Sequence, residues 1–137
     1  MGILIDYSCE KCDKNYSLKQ GCGKLAIFDI DELIHSIRSK KEKELLIELK
    51  EKHNGTLKEI PFYEIYECNE CHTLHSKQEY QIEYDDNKIH IKKHKCPSCK
   101  KELVKLSSKD DIDFEKYKCK KCNEFSLGGI ITFNLFD

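Results

Sequence analysis

The stretch YSCEKCDKNYSL at residues 7–18 contains two cysteines separated by two residues, and YKCKKCNEFSL at residues 117–127 repeats this design. With a gap of one residue, the two stretches share a tyrosine, both cysteines, a lysine before the second cysteine and a closing Ser-Leu. The match indicates two metal-binding knuckles of one type. A structural site of tetrahedral geometry takes four ligands, which two C-x-x-C pairs supply together.

The chain holds nine cysteines among 137 residues, and eight of them fall in four C-x-x-C pairs. The pairs are Cys9 with Cys12, Cys68 with Cys71, Cys96 with Cys99, and Cys119 with Cys122. Four pairs in one short chain are a strong signal for two tetrahedral sites, whereas a single pair is a weak one. We therefore predict two Zn²⁺ ions per chain, with iron as the alternative metal. Cys22 is predicted to be a free thiol.

Four pairs can form two sites in three ways. Sequential pairing joins the first pair with the second and the third with the fourth; its second loop has a length common in paired C-x-x-C sites. Nested pairing joins the second pair with the third, and it joins the two copies of the repeat, the first pair and the fourth. Interleaved pairing requires the chain to cross over itself. The loop length favours sequential pairing, and nested pairing stays open.

The second pair is followed by a histidine, and C-x-x-C-H is also an attachment motif for haem. The residue after the second cysteine of a knuckle usually adopts the left-handed backbone region, which Asp, Asn and His tolerate better than other non-glycine residues. In this chain the four such residues are Asp13, His72, Lys100 and Asn123. His72 therefore has an ordinary backbone explanation. Since Met1 is the only methionine, a methionine axial ligand is also not expected, and we predict no haem.

Hydrophobic periodicity predicts one long or broken helix at about 29–54. Asp29 and Glu32 form a plausible capping pair, and Gly55 is a natural stop. The predicted apolar face contains Ile30, Leu33, Ile34 and Ile37, and it resumes with Leu45, Leu46 and Leu49.

The remaining segments favour strands. Residues 3–8 and FYEIYEC read as strands that lead into cysteine pairs, and GCG at 21–23 reads as a turn. EYQIEY and IHIKKHKC predict a hairpin around DDNK, and KELVKLSS with IDFEKYKC predicts a second hairpin around KDD. The stretch SLGGIITFNLF predicts a terminal strand with a glycine kink.

These elements predict a small metal-stabilised α+β fold, with two metal-binding knuckle units, short antiparallel hairpins and one long or broken helix. The predicted domains are an N-terminal knuckle region with the helix at 1–75 and a C-terminal ribbon at 76–137. One integrated domain spanning 1–137 is the alternative.

YKCKKC and HKCPSCKKELVKL resemble the zinc-ribbon superfamily. The layout is also similar to that of small bacterial zinc-ribbon proteins of unassigned role, in which an early C-x-x-C is followed by G-x-G and, after a variable middle, by three more pairs. Here the G-x-G is Gly21-Cys22-Gly23. The resemblance implies metal-ligand roles for the eight paired cysteines and none for Cys22.

The composition gives little direction about function. The formal net charge is −1, which provides no overall attraction to nucleic acid or an anionic membrane. The chain shows no signal segment and no long apolar run, so we expect a cytoplasmic protein with reduced thiols and no membrane partner. We infer no small-molecule substrate.

One window points to a partner class. Residues 88–109 contain eight lysines and a single acid, Glu102. An exposed basic surface of this kind could contact a nucleic acid backbone through phosphates. The candidate contacts are Lys88, Lys92, Lys93, Lys95, Lys100, Lys101 and Lys105. Arg38 is the only arginine, and acids at 110, 111, 113 and 115 follow the window, so a solvated lysine face is an equal alternative.

We therefore predict a non-catalytic binding or adaptor module with two structural four-cysteine zinc sites, whose partner is a protein or a nucleic acid. Three alternatives remain. They are a rubredoxin-like iron electron carrier, an enzyme that uses Cys22 as its nucleophile, and a redox switch that releases zinc when its thiolates are oxidised.

Overall fold

The computed structural model describes residues 2–22, 27–106, 112–129 and 131–136, with only the backbone described for Phe136. Antiparallel strands and two helices make up most of these residues, in agreement with a small α+β fold. The strands are Gly2–Ser8 (β1), Asn15–Gly21 (β2), Thr56–Leu57 (β3), Phe62–Cys68 (β4), Thr73–Glu79 (β5), Gln81–Tyr84 (β6), Lys88–Ile91 (β7), Val104–Lys105 (β8) and Thr132–Phe136 (β9). The helices are Ile30–Ser36 (α1) and Lys40–His53 (α2), and Phe114–Lys116 forms a 3₁₀ turn.

The chain divides into two compact units, each assembled from separate stretches. The knuckle unit consists of Met1–Lys24, Tyr63–Lys77 and Lys93–Asp137. The helical unit consists of Leu25–Phe62 and Gln78–Lys92. This division differs from the two contiguous halves at 1–75 and 76–137, because strands from the beginning, middle and end of the chain join in one sheet.

The sheet of the knuckle unit has the strand order β5-β4-β2-β1-β9, and β8 pairs with β4. β1 and β2 form a hairpin in which Ile5 lies opposite Leu18, and both side chains are fully buried. On the other side of β1, Phe133 of β9 lies opposite Ile5. The predicted strands at 3–8 and at the end of the chain are confirmed. Gly128 has a φ of 107°, which fits the predicted glycine kink before β9.

The helical unit packs α1 and α2 against a sheet with the strand order β3-β6-β7. Leu33, Leu46 and Ile82 are fully buried at its centre. The helix is broken at 37–39, which is the second of the two forms left open by the sequence. The predicted apolar face is wrong at Leu45, which is 41% exposed because it lies on the outer side of α2.

The ends of the helices follow their capping residues. The Asp29 carboxylate accepts the Glu32 N–H at 2.8 Å, as the capping pair predicted. The left-handed residue that ends α2 is Asn54, and the N–H of Gly55 donates to the Leu49 carbonyl at 2.8 Å. Neither helix has the combination of length and apolar sequence that crossing a bilayer requires, within the ranges that the structure describes.

The two predicted hairpins have different outcomes. The first is confirmed: β6 and β7 pair antiparallel around a turn in which Asp85 and Asp86 both have positive φ, as a tight primed turn requires. The second is wrong. β8 pairs with β4 instead, and Phe114, in the 3₁₀ turn, is buried against Tyr7. Burial of one aromatic side chain thus overrides the short alternating pattern. The predicted KDD turn at 109–111 and Gly23 of the GCG turn lie outside the described residues.

Candidate metal centres

Eight cysteines lie in two groups whose sulfur atoms are close enough to share one metal ion each. Site 1 consists of Cys9, Cys12, Cys119 and Cys122, and site 2 consists of Cys68, Cys71, Cys96 and Cys99. Within each site all four Sγ atoms lie within 4.8 Å of one another. Both sites belong to the knuckle unit.

The spacing of the sulfur atoms matches a tetrahedral metal site. In site 1 the Sγ–Sγ distance is 3.6 Å both for Cys9 with Cys122 and for Cys12 with Cys119. In site 2 it is 3.5 Å for Cys68 with Cys99 and 3.9 Å for Cys71 with Cys96. A Zn–S bond of about 2.3 Å in a regular tetrahedron separates the sulfur atoms by about 3.8 Å. A disulfide would bring them to about 2.05 Å, so the arrangement suits a shared ion.

The pairing is nested, and the favoured sequential pairing is wrong. β1 leads into Cys9, the backbone of Cys9 bridges to Leu127, and this contact brings the first knuckle to the fourth. β4 leads into Cys68 and pairs with β8, which follows the third knuckle. Strand pairing between distant segments therefore decides the partners, while the length of the loop between neighbouring pairs does not.

All four knuckles share one backbone geometry. The residue after each second cysteine has a φ between 54° and 66°, as predicted for Asp13, His72, Lys100 and Asn123. Its N–H donates to the carbonyl of the first cysteine of the pair, at distances from 2.8 to 3.1 Å. His72 thus occupies the position that its backbone tolerance predicted. The turn directs both sulfur atoms of a pair to the same side.

Two hydroxyl groups contact the sulfur atoms of site 1. Ser126 Oγ lies 2.9 Å from Cys9 Sγ, and Tyr16 Oη lies 3.0 Å from Cys119 Sγ. Each copy of the sequence repeat therefore supplies a hydroxyl group to the first cysteine of the other copy. When the sulfur is a thiolate, the hydroxyl group donates. Sequence reasoning missed both residues, although the Ser-Leu ending shared by the two copies was a signal for Ser126.

The protonation of the thiols depends strongly on their surroundings. The hydrogen bond with Ser126 lowers the pKa of the Cys9 thiol to about 6. In site 2, contact with Cys99 raises the pKa of Cys71 to about 12, and burial raises the pKa of Cys68. Four thiolates at these distances repel one another unless a cation lies among them. The positive charge of a bound metal ion offsets this repulsion and keeps the coordinating thiols deprotonated.

Site 2 is surrounded by a small apolar cluster. Cys68 and Cys96 are almost fully buried, and Tyr66 and Leu103 pack against them. The N–H of Cys71 donates to Cys68 Sγ at 3.4 Å. A backbone hydrogen bond also connects the two sites, since the N–H of Lys118 donates to the His72 carbonyl at 2.6 Å. These two residues stand next to Cys119 of site 1 and Cys71 of site 2.

The other candidate ligands lie outside both groups of sulfur atoms. Cys22 is partly buried just after β2 and belongs to neither group of four cysteines. His75 is buried, with Nε2 2.7 Å from the Thr73 hydroxyl group and Nδ1 3.5 Å from the Lys120 ammonium group. His94 is buried beside the Tyr66 ring. Cys68 and Cys71 share their site with Cys96 and Cys99, and neither group of four sulfur atoms includes a histidine among the described residues.

The candidate lysines differ in their surroundings. Lys88 lies 3.9 Å from Asp85, Lys101 lies 2.5 Å from Glu70, and Lys92 lies 2.5 Å from Glu42. The lysines that are exposed and have no ion pair shorter than 4 Å among the described contacts are Lys93, Lys95 and Lys100. Lys105 is exposed on β8.

Lys92 departs from the expectation that the lysines of the window are exposed. Its partner Glu42 is mostly buried and also accepts the Tyr80 hydroxyl group at 2.5 Å. Lys92 therefore belongs to a hydrogen-bonded network inside the helical unit.

Comparison with known proteins finds no family model, no curated protein and no solved structure that matches this chain. The resemblance to zinc ribbons therefore depends on the cysteine spacing and the knuckle geometry.

Proposed function

We propose that the chain is a zinc-dependent, non-catalytic binding module in which two four-thiolate sites stabilise the knuckle unit. The observation that carries the proposal is the pair of four-sulfur groups, in each of which all sulfur atoms lie within 4.8 Å of one another. Four protein ligands complete a tetrahedral zinc site and leave no open position for water or substrate. Such a site contributes folding energy, on the order of 10 kcal/mol or more per zinc ion.

The metal content of the purified chain tests this proposal. We expect about two zinc ions per chain, a colourless protein and loss of tertiary structure after chelation. The same donor set also suits iron, and a red-brown protein with visible charge-transfer absorption would indicate an electron carrier instead. One ion or none per chain would contradict the two-site proposal. Cys22→Ser is the matched control, because its thiol lies outside both sites and its loss should leave both ions bound.

The partner class follows from the surface of the module. Three of the seven candidate lysines contact carboxylates, so the basic surface available to phosphates is smaller than the sequence suggests. Lysine also recognises phosphate as a point charge and reads no base sequence. A protein partner is therefore the favoured form of the proposal, and contact with a nucleic acid backbone is the second form.

A pair of charge-matched variants separates the two forms. Lys93 and Lys95 are exposed in the knuckle unit, and Lys40 and Lys41 are exposed at the start of α2. If the chain binds nucleic acid, Lys93→Glu with Lys95→Glu should abolish retention on immobilised DNA or RNA. Lys40→Glu with Lys41→Glu should reduce retention much less. No retention of the wild-type chain at about 50 mM salt, where phosphate contacts are strongest, would exclude the nucleic acid form.

A further inference from the structure

The strand β9 forms an open edge of the larger sheet. It pairs with β1 on one side, and within the described residues it is the last strand in the order β5-β4-β2-β1-β9. The sequence ITFNLF at residues 131–136 contains no charged residue, although 36% of the chain is charged. Native proteins usually protect an edge strand with charges, proline or a bulge, because unpaired backbone groups attract another strand. The sequence of β9 contains neither charges nor proline.

The apolar face of the sheet continues onto β9, where its side chains are exposed. Residues opposite each other in an antiparallel pair point to the same face, so Phe133 shares a face with Ile5 and Leu135 shares it with Ile3. Ile5 is fully buried in the core, whereas Phe133 is 61% exposed and Leu135 is 68% exposed. Ile131, two residues before Phe133, is also exposed. The same face is thus covered at Ile5 and exposed at Phe133 and Leu135.

We propose that β9 pairs antiparallel with β9 of a second copy of this chain and extends the sheet across a two-fold axis. An antiparallel strand can be its own complement, as an interface with two-fold symmetry requires. With Phe133 placed opposite the same residue of the second copy, Ile131 lies opposite Leu135. On the face of Phe133 every pair then joins two apolar side chains, and Thr132 lies opposite Asn134 on the other face. The absence of charge on the strand means that no like charges meet.

The exposed area predicts a weak, reversible dimer. At 61% exposure Phe133 alone offers roughly 120 Å² of side-chain surface. Together with Ile131, Leu135 and the exposed part of Ile3, each copy offers about 400 Å², or about 800 Å² for the pair. Stable specific interfaces bury about 1,200 Å² or more. The backbone hydrogen bonds of the extended sheet further stabilise the dimer, so we expect association at micromolar concentrations.

Sedimentation of the full metal-loaded chain between about 5 µM and about 500 µM tests the proposal. The wild-type chain should change reversibly from monomer to dimer over this range. Leu135→Lys should weaken dimerisation roughly tenfold or more, because the two-fold axis places two added charges at one interface. The matched control is Ile91→Lys, since Ile91 is 58% exposed on β7 of the helical unit. That variant should dimerise like the wild type.

Hydrogen exchange provides a second readout that does not depend on a substitution. Amide groups of β9 should exchange more slowly at about 500 µM than at about 5 µM if strand pairing buries them. A wild-type chain that stays monomeric throughout would overturn the proposal. A dimer that Leu135→Lys leaves intact, or one that does not slow exchange in β9, would overturn it equally. The metal content of each variant is measured in parallel, so that loss of dimer is distinguished from loss of zinc.

Discussion

Sites 1 and 2 have the same ligands and the same knuckle geometry, but they occupy different places in the chain. Site 1 joins cysteines that are 113 residues apart, and its sulfur atoms lie in the largest apolar cluster of the knuckle unit, with Tyr7, Leu18 and Phe114. Site 2 joins cysteines that are 31 residues apart and packs against Tyr66 and Leu103. Closing the longer loop costs about 1 kcal/mol more entropy. The comparison predicts that loss of site 1 destabilises the chain more than loss of site 2, although both sites have four sulfur donors.

The largest expected effect comes from removing one ligand of each site. Cys9→Ser with Cys68→Ser should eliminate both metal ions and unfold the knuckle unit, because binding energy here is folding energy. Cys9→Ser with Cys119→Ser should eliminate one ion, since both ligands belong to site 1. Native mass spectrometry and elemental analysis count the ions. The opposite result, with two ions lost in the second variant, would restore sequential pairing.

Single ligand substitutions test the inequality of the sites. Cys119→Ser should destabilise the chain by several kcal/mol more than Cys99→Ser, because loss of site 1 also loosens the packing of β1 and β9 around Ile5 and Tyr7. Denaturant unfolding of the two variants at equal metal saturation measures the difference. Equal losses of unfolding free energy would show that the apolar cluster around site 1 is stable without its ion.

A smaller effect is expected from the hydroxyl groups at site 1. Ser126→Ala removes a hydrogen bond to a thiolate and should cost about 1.5 kcal/mol, or roughly a tenfold loss of zinc affinity at that site. Competition with a chromophoric chelator measures this change. Ser17→Ala is the matched control, because Ser17 is the equivalent residue of the other repeat copy and bonds to Asp6. If the two variants bind zinc with equal affinity, the Ser126 hydroxyl group does not stabilise the ion at site 1.

The smallest effect concerns His75, which lies in the knuckle unit and contacts Lys120 of the site 1 knuckle. Burial, Lys120 and Lys77 lower the pKa of His75 to about 4, below its value of about 6.5 in an unfolded chain. The unfolded state therefore binds the proton more readily, and stability falls as the pH decreases from about 6.5 toward 4. In the wild type, protonation of His75 should lower the free energy of unfolding by about 1 kcal/mol between pH 7.5 and 6.0. His75→Gln should remove this decrease.

The measurement is denaturant unfolding of wild type and His75→Gln at the two pH values. Protonation of the cysteine ligands affects both proteins, so it cancels in the difference. An identical pH dependence in the two proteins would mean that His75 has the same proton affinity in the folded and unfolded states.

Local features of the candidate sites could be predicted from the sequence, and long-range ones could not. The spacing of each C-x-x-C pair and the residue after it are local, so the backbone of Asp13 or His72 follows from short-range sterics. The pairing of the knuckles depends on which strands meet, as Cys9 and Leu127 do. The length of the loop between two knuckles does not indicate which strands pair. The repeat at 7–18 and 117–127 was the better guide, because its two copies form site 1.

The same distinction explains the other differences. The turn at Asp85 and Asp86 is fixed by its own residues, and the hairpin around it was predicted. The position of Phe114 depends on the aromatic ring of Tyr7, more than 100 residues earlier, and the hairpin predicted there does not form. Lys92 was expected to be exposed because it lies in a lysine-rich window. Its contact with Glu42 depends on the packing of segments 50 residues apart, which the local sequence pattern does not predict.

The nested arrangement of the knuckles also sets the order of events during synthesis on the ribosome. Site 2 has all its ligands once Cys99 has been made. Cys9 and Cys12 are made first, but their partner Cys122 follows Cys9 by 113 residues. At about 5 to 20 residues per second, this separation corresponds to roughly 6 to 23 seconds of translation. Throughout that interval the first knuckle lacks the two sulfur atoms that complete its site, so the earliest cysteines of the chain wait longest for their partners.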